Sequence, residues 1–428
     1  MTPITAAHKA WRTKVFVATW LSYVGFYFCR KPFTAAKAAI KVQNGWTGTT
    51  IGNIFAAYLI AYSIGQFLAS RLGPALGPRK NVLIGMGLSL VVTLVMGIPT
   101  TPYLMAGLIA VNGLAQATGW SGNVGTMANW FHKHERGKVM GAWSTNFTVG
   151  AIAAGFVMGM ALGGSNDPMK QDWQLCFFTG AVVLAVVWLQ FYFLQRNSPE
   201  DVGLPPVDDP VTAVDEGQLP IKNERVSLTR QAWINLLLIA GFYFFAKLVR
   251  YAIWSWAAYF LELKYHLSGR AANIYSIAFD VCGIPGVILT GYLSDKYFKS
   301  RRAGVALIMM LGMTLATVAL VLFASSSVAV FVILLGVVGF FLYGPDALLS
   351  GAGAMDLGNR RTATFAAATI SGVGSIGPIV QEVIVPRVYD ERTSGMTPVF
   401  AILFVSAVMA SMFCAALVYR NHKGGRGI

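Results

Sequence analysis

Charge is what this chain has least of. Only 12% of its 428 residues are Asp, Glu, Lys or Arg, against roughly 25% in an ordinary soluble domain. So few ionised groups cannot cover the surface of a water-soluble protein of this length. The 55% hydrophobic content therefore points to a polytopic membrane protein. Acids are the scarcer sign, 18 against 33 bases, for a net charge of +15. In a soluble chain that excess would direct attention to nucleic acid. In a membrane protein it is the bias of Lys and Arg towards cytoplasmic loops, and no nucleic-acid partner is expected. Histidine is absent from the apolar runs: His8, His132, His134, His266 and His422 all fall in loops, which excludes a histidine proton relay. The four cysteines are scattered through apolar segments and read as packing thiols. Neither a metal site nor a cofactor is expected. No nucleophile–base pair or nucleotide motif stands out, so an enzyme is not expected either.

What is abundant is apolar sequence of spanning length, about 20 helical residues. Such runs fall at 15–38, 50–71, 81–98, 102–128, 138–162 and 174–195, and again at 234–261, 271–293, 304–324, 327–350, 362–385 and 397–419. The basic start (His8, Lys9, Arg12, Lys14) leads into the first run with no small-residue cleavage site, so that run is kept as a true span. The expected fold is an all-α membrane protein of twelve transmembrane helices in two six-helix bundles, 1–197 and 231–428. Between them, 198–230 is polar, carries five prolines and lacks a helical period, as a flexible cytoplasmic linker does. With the N-terminus inside, the inner loops and termini hold 22 Lys and Arg against seven in the outer loops. That ratio places both termini in the cytoplasm.

The halves repeat. Gly25-Phe26-Tyr27-Phe28 recurs as Gly241-Phe242-Tyr243-Phe244, 216 residues on, and both copies run into cations: Arg30 and Lys31 in the first, Lys247 and Arg250 in the second. Duplicated six-span halves are a plan of secondary transporters. A cation at a helix centre costs at least about 2.5–3.5 kcal/mol, so these residues call for a water-filled cavity, a partner or a bound anion. Arg250 lies near the middle of its span, and Lys247 shares its face at i, i+3. Of the adjacent pair, Arg30 is preferred, because Tyr23 and Tyr27 precede it on one face. A guanidinium flanked by phenols suits an oxyanion, and its forked donors fit phosphate bidentately. Asp280, Asp346 and Glu382 could neutralise these cations, serve proton coupling or cap local structure. Cys282-Gly283-Ile284-Pro285 implies a broken or closely packed helix after Asp280. Gly372-Val373-Gly374-Ser375-Ile376-Gly377 lies within an apolar span and reads as close helix packing. Asp295 with Arg301 and Arg302 forms a charged inner loop that could latch spans in one state.

With these residues in view, the chain resembles the organophosphate:phosphate antiporter family of the major facilitator superfamily. The likeness rests on Tyr23…Tyr27…Arg30-Lys31-Pro32-Phe33, Gly119-Trp120, Asn129-Trp130-Phe131…Glu135-Arg136-Gly137, Trp143, the linker run Pro199-Glu200-Asp201-Val202-Gly203-Leu204-Pro205-Pro206, Lys247…Arg250-Tyr251 and Tyr343-Gly344-Pro345. It implies that Arg30 and Arg250 clamp a phosphate, with Tyr27 and Tyr62 nearby; Tyr23, Lys247, Trp143 and Tyr343 complete the expected substrate contacts. Phe147, Gln66, Pro74 and Ser371 depart from residues common in the family, which leaves the organic part of the substrate open. The expected activity is exchange of an organic phosphate for inorganic phosphate by rocker-switch alternating access in the inner or plasma membrane, by a monomer. Repulsion between two empty arginines would discourage return without an anion. A membrane sensor of sugar phosphate, or a transporter of a non-phosphate organic anion, are the alternatives.

Overall fold

The computed structural model describes residues 4–98, 101–207, 230–297, 302–349, 360–389 and 395–422. Regular structure among them is helical, with no β-strand. Apolar runs in a bilayer can satisfy their backbone groups only within the segment or in a closed barrel, and here they take the first route. The helices of the first half are α1 (Ala6–Ala35), α2 (Lys37–Gln43), α3 (Gly48–Leu76), α4 (Pro78–Met96), α5 (Pro102–Gln116), α6 (Thr118–Trp130), α7 (Lys133–Trp143), α8 (Thr145–Leu162) and α9 (Trp173–Leu194). The second half supplies α10 (Arg230–Tyr265), α11 (Gly269–Ser276), α12 (Ala278–Lys296), α13 (Arg302–Phe323), α14 (Val328–Ala347), α15 (Arg360–Val388) and α16 (Thr397–His422). Among the described residues, nine helical segments are long and apolar enough to cross a membrane. Three more, α1, the pair α5–α6, and α15, complete the twelve expected spans.

Among the described residues, four spans are each delivered as two helices. At Ala117 and Ile277 the joint keeps right-handed helical geometry (φ −63°, ψ −22° in both), so the helix bends without reversing. Of the two expectations for the stretch after Asp280, a broken or a closely packed helix, the structure takes the second. Cys282 to Pro285 stays helical inside α12, and the motif serves close packing. A Cβ on Gly286 would collide with the Phe340 carbonyl of α14.

The 216-residue sequence repeat is also a packing repeat. In the first half a Cβ on Gly150 of α8 would meet the Tyr27 ring, and in the second a Cβ on Gly374 of α15 would meet the Tyr243 ring. Gly25 takes Leu184 and Val187 of α9 against its bare face, and Gly241 takes Phe413 of α16. Each tyrosine of the repeated motif thus has a glycine for a floor, which permits the short interhelical approach that membrane packing relies on. Gly377 lies against the Phe244 carbonyl, so packing accounts for this part of the glycine-rich stretch.

Contacts divide the chain into two compact units. The first comprises Met1–Phe33, Ala57–Leu162 and Asp172–Glu224; the second comprises Thr34–Ala56, Gly163–Gln171 and Arg225–Ile428. The expected borders at 197 and 231 follow the order of helices along the chain. The contacts instead group two short first-half segments with the second-half helices. Side-chain chemistry explains why. Asn273 donates to the Ala35 carbonyl (3.1 Å), and Gln43 donates to the carbonyls of Pro168 (2.8 Å) and Gln171 (2.7 Å).

Deeper in the second unit, Lys37 is fully buried and its Nζ lies 2.9 Å from Glu382 Oε2. Lys37 stands one residue from the end of the first apolar run, where its sequence neighbourhood names no partner. Two buried charges lose several kcal/mol of hydration each, and their attraction offsets this only when the remaining polar atoms are bonded. Here they are. Lys37 also donates to Ser255 Oγ (2.6 Å), Ser255 and Gln381 both donate to Glu382 Oε1, and the Trp256 ring lies 3.6 Å from the ammonium.

Candidate functional site

In the first unit Arg30 has no carboxylate partner among the described residues. Its helix does not end at the short apolar run but continues through Arg30 and Lys31 to Ala35, with Pro32 inside. Arg30 is 7% exposed and Lys31 4%, so neither reaches an aqueous interface. Arg30 Nε donates to Gln116 Oε1 at 3.0 Å, and the Tyr58 hydroxyl donates to the same oxygen at 2.9 Å. That glutamine is itself held. Its Nε2 donates to Asn112 Oδ1 (3.1 Å), and Asn112 Nδ2 donates to the Cys29 carbonyl (2.8 Å), one residue from the arginine it steadies. Ser89 closes the chain by donating to Asn112 Oδ1 at 2.6 Å.

The guanidinium carbon stands 4.8 Å from the Tyr27 ring centre, 5.1 Å from Tyr62 and 5.7 Å from Tyr58. Cation–π attraction of about 0.5–2 kcal/mol per ring repays part of the desolvation. Among the described residues no carboxylate pairs with it. One edge of the fork is tied to Gln116 through Nε, which leaves the two terminal nitrogens as donors among phenols.

Tyr23, two turns before Arg30, makes ring contacts with Tyr27 (6.1 Å), Trp120 (5.5 Å) and Trp143 (5.9 Å). Trp143 is fully enclosed, its indole N–H donating to Thr19 Oγ1 at 3.1 Å. It therefore backs the tyrosines as a wall.

The second unit treats its arginine differently. Arg250 Nη1 lies 2.5 Å from Asp346 Oδ2, the two side chains being 20% and 7% exposed. Its guanidinium carbon stacks 4.3 Å from the centre of the Tyr343 ring, and the Tyr343 hydroxyl donates to Asp280 Oδ1. Lys247 Nζ sits 4.7 Å from the Tyr243 ring centre, on the motif tyrosine one turn before it. The three acids whose roles the sequence left open now separate. Asp346 neutralises Arg250, Asp280 orients Tyr343, and Glu382 holds Lys37. The expected repulsion between two bare arginines is corrected accordingly, because Arg250 carries its own counter-ion.

Arg30, Tyr23, Tyr27, Tyr62 and Trp143 are thus gathered in the first unit. Lys247, Arg250 and Tyr343 lie in the second. Of the charged inner loop, Arg301 and the side chains of Asp295 and Arg302 lie outside the described residues. Sequence reasoning missed Gln116, Asn112, Ser89, Tyr58 and Lys37. A signal existed for two of them: Asn112 and Gln116 stand at i, i+4 in an otherwise apolar span, so they share a helix face.

Comparison with known proteins bears on the family and the fold. The family model described as Major Facilitator Superfamily matches residues 15–381. The chain is 30% identical to the glycerol-3-phosphate transporter of Bacillus subtilis (strain 168), over 87% of this chain and 84% of that one. It is 29% identical to a probable hexose phosphate transport protein of Chlamydia pneumoniae (85% and 81% covered) and 27% identical to a phosphoglycerate transporter protein of Salmonella typhimurium (81% and 76% covered). Among solved structures, a D-xylose-proton symporter superposes with a TM-score of 0.71 at 17% identity, over 94% of this chain and 97% of that one. At that identity the likeness is one of fold.

Proposed function

Because the chain belongs to the Major Facilitator Superfamily and is a membrane transporter, not an enzyme, we propose that it exchanges an organic phosphate for inorganic phosphate. Arg30 of the first unit and Arg250 of the second serve as its phosphate-binding cations. The observation that carries this reading is Arg30: a buried guanidinium with no carboxylate partner among the described residues, oriented by Gln116 and ringed by phenols. A buried cation maintained in that state is stabilised by an anion that comes and goes. Phosphate matches its remaining donors in number and geometry. The relatives transport glycerol-3-phosphate, hexose phosphate and phosphoglycerate by name, which share only the phosphate. Rocker-switch alternating access, with both termini cytoplasmic, is the mechanism we assign.

The test is a substrate panel in proteoliposomes loaded with labelled inorganic phosphate. Efflux is expected when glycerol-3-phosphate, a hexose phosphate or a phosphoglycerate is supplied outside, and no efflux with the dephosphorylated compounds. Efflux driven equally by carboxylates that lack phosphate would overturn the proposal. So would an Arg250→Ala variant that exchanges phosphate at the wild-type rate.

A further inference from the structure

Arg250 is already occupied. A carboxylate oxygen sits 2.5 Å from Nη1 in a pocket where the aspartate is 7% exposed, which is the contact a phosphate oxygen would make. The surrounding helix is shaped for this. Pro345 immediately precedes Asp346 inside α14 and removes one backbone donor. The helix then widens into a π turn at 348–349, a distortion common at functional sites. One residue before the proline, a Cβ on Gly344 would collide with Thr290, so α14 is pressed against α12 just where it carries the acid. Behind the guanidinium, Tyr343 is held by Asp280 and supports the flat face of Arg250. The arginine is thus fixed from behind by one acid, through a phenol, and engaged at its edge by another.

We propose that Asp346 is an internal competitor for Arg250, a tethered carboxylate that occupies the phosphate contact when no substrate is bound and must leave it when phosphate arrives. The inference rests on the reading of Arg250 as a phosphate ligand. Asp346 acts through Arg250 and is a positioning residue. Its two effects have opposite signs. It keeps an unliganded, buried arginine neutral, and it subtracts from substrate affinity, because each binding event must break a charge-assisted pair before making one. Removing the charge while keeping the shape, in Asp346→Asn, abolishes the competition. An acid that merely held Arg250 in place would have the reverse effect, since its loss would let the arginine wander and weaken binding.

The experiment is titration of purified protein with inorganic phosphate by calorimetry, alongside exchange kinetics in liposomes. For Asp346→Asn the expected result is about tenfold tighter phosphate binding, ~1.4 kcal/mol, with a lower KM and a lower maximal exchange rate, and Asp346→Glu returns both towards wild type. Weaker binding in Asp346→Asn would overturn the inference while leaving Arg250 as a ligand, provided Arg250→Ala loses phosphate. Wild-type binding in Arg250→Ala would instead overturn the reading beneath it. Should Asp346→Asn fail to fold, phosphate-induced infrared difference spectra of the wild-type protein with ¹³C-labelled aspartate answer the same question. A shift of an aspartate carboxylate band on phosphate binding is expected, and unchanged aspartate bands would overturn the inference.

Discussion

Arg30 and Arg250 follow two copies of one sequence motif, yet the chain houses them in opposite ways. Arg30 has an amide and three phenol rings around it; Arg250 has a carboxylate, one stacked phenol and a second acid behind that phenol. Each solution offsets the cost of a cation within a membrane span. They differ in what a ligand meets. At Arg30 it finds a standing positive charge, and at Arg250 a neutral pair that must first be opened. The repeat duplicated the scaffold, down to the glycine floors under Tyr27 and Tyr243, without duplicating the electrostatics. Arg30 aligns with Ala246, not with Arg250, so the two cations were never equivalent positions.

Removing the standing charge should have the largest effect. Arg30→Ala deletes donors that would make two charge-assisted bonds to phosphate, each worth about 1.5–3 kcal/mol. Exchange in phosphate-loaded proteoliposomes is expected to fall to background. Arg30→Lys keeps the charge but loses the fork and the Nε bond to Gln116, and should recover only a small part of the rate. Exchange within twofold of wild type in Arg30→Ala would erase the contrast between the two arginines.

The buried Lys37–Glu382 pair is the control for that contrast, because it is saturated by Ser255, Gln381 and Trp256. Glu382→Gln leaves a buried ammonium without its counter-ion, which costs about 3–5 kcal/mol. A clear drop in melting temperature is expected in detergent, together with little change in phosphate affinity in the fraction that stays folded. If phosphate affinity fell while thermal stability held, the pair would belong with the ligand cations after all.

Much of this was legible from the chain alone, and the failures have a common cause. Apolar length was enough for the helices, and the 216-residue echo for Arg30 and Arg250 as cations held within spans, since both signals are local. Partners were not legible. Asp346 lies 96 residues from Arg250, and Glu382 lies 345 from Lys37, separations over which no periodicity speaks. Lys37 stands at the end of the first apolar run, where nothing local names its partners, and contact with α10 and α15 buries it. Gln116 was overlooked for a different reason: an uncharged amide does not register against the cost scale that exposes a buried arginine. Around Pro285 residue rules left a broken or a closely packed helix open, and packing against α14 decided for the second, with the bend at Ile277.

A smaller effect should follow from loosening Arg30 without touching its charge. Gln116→Leu is close in size but cannot accept from Nε or from the Tyr58 hydroxyl. Losing one bond to a charged group costs about 1.5–3 kcal/mol, and an arginine that Gln116 no longer aims must be ordered by the anion itself on binding. The expected outcome is a rise in KM of about tenfold, together with a lower melting temperature. Gln116→Glu sharpens the same point from the other side. It would hand Arg30 a carboxylate like that of Arg250, and phosphate affinity should fall further than with leucine.

The smallest change probes the second arginine from behind. Tyr343→Phe keeps the ring that lies 4.3 Å from the Arg250 guanidinium and removes only the hydroxyl that donates to Asp280. The cation–π contact survives, so the loss is one hydrogen bond to a charged group, about 1.5–3 kcal/mol, and it falls behind Arg250 and not on the ligand. Asp280, deprived of that donor, becomes a second acid near Arg250 and can compete with Asp346 for it. Arg250 would then be held more tightly by protein carboxylate and less readily by substrate. KM is expected to rise two- to fivefold, and Asp280→Asn combined with Tyr343→Phe should bring it back, because the competing charge is gone. Failure of the double variant to recover would mean that the phenol's hydroxyl matters for the substrate directly, and the asymmetry between the two arginines would be narrower than their surroundings make it.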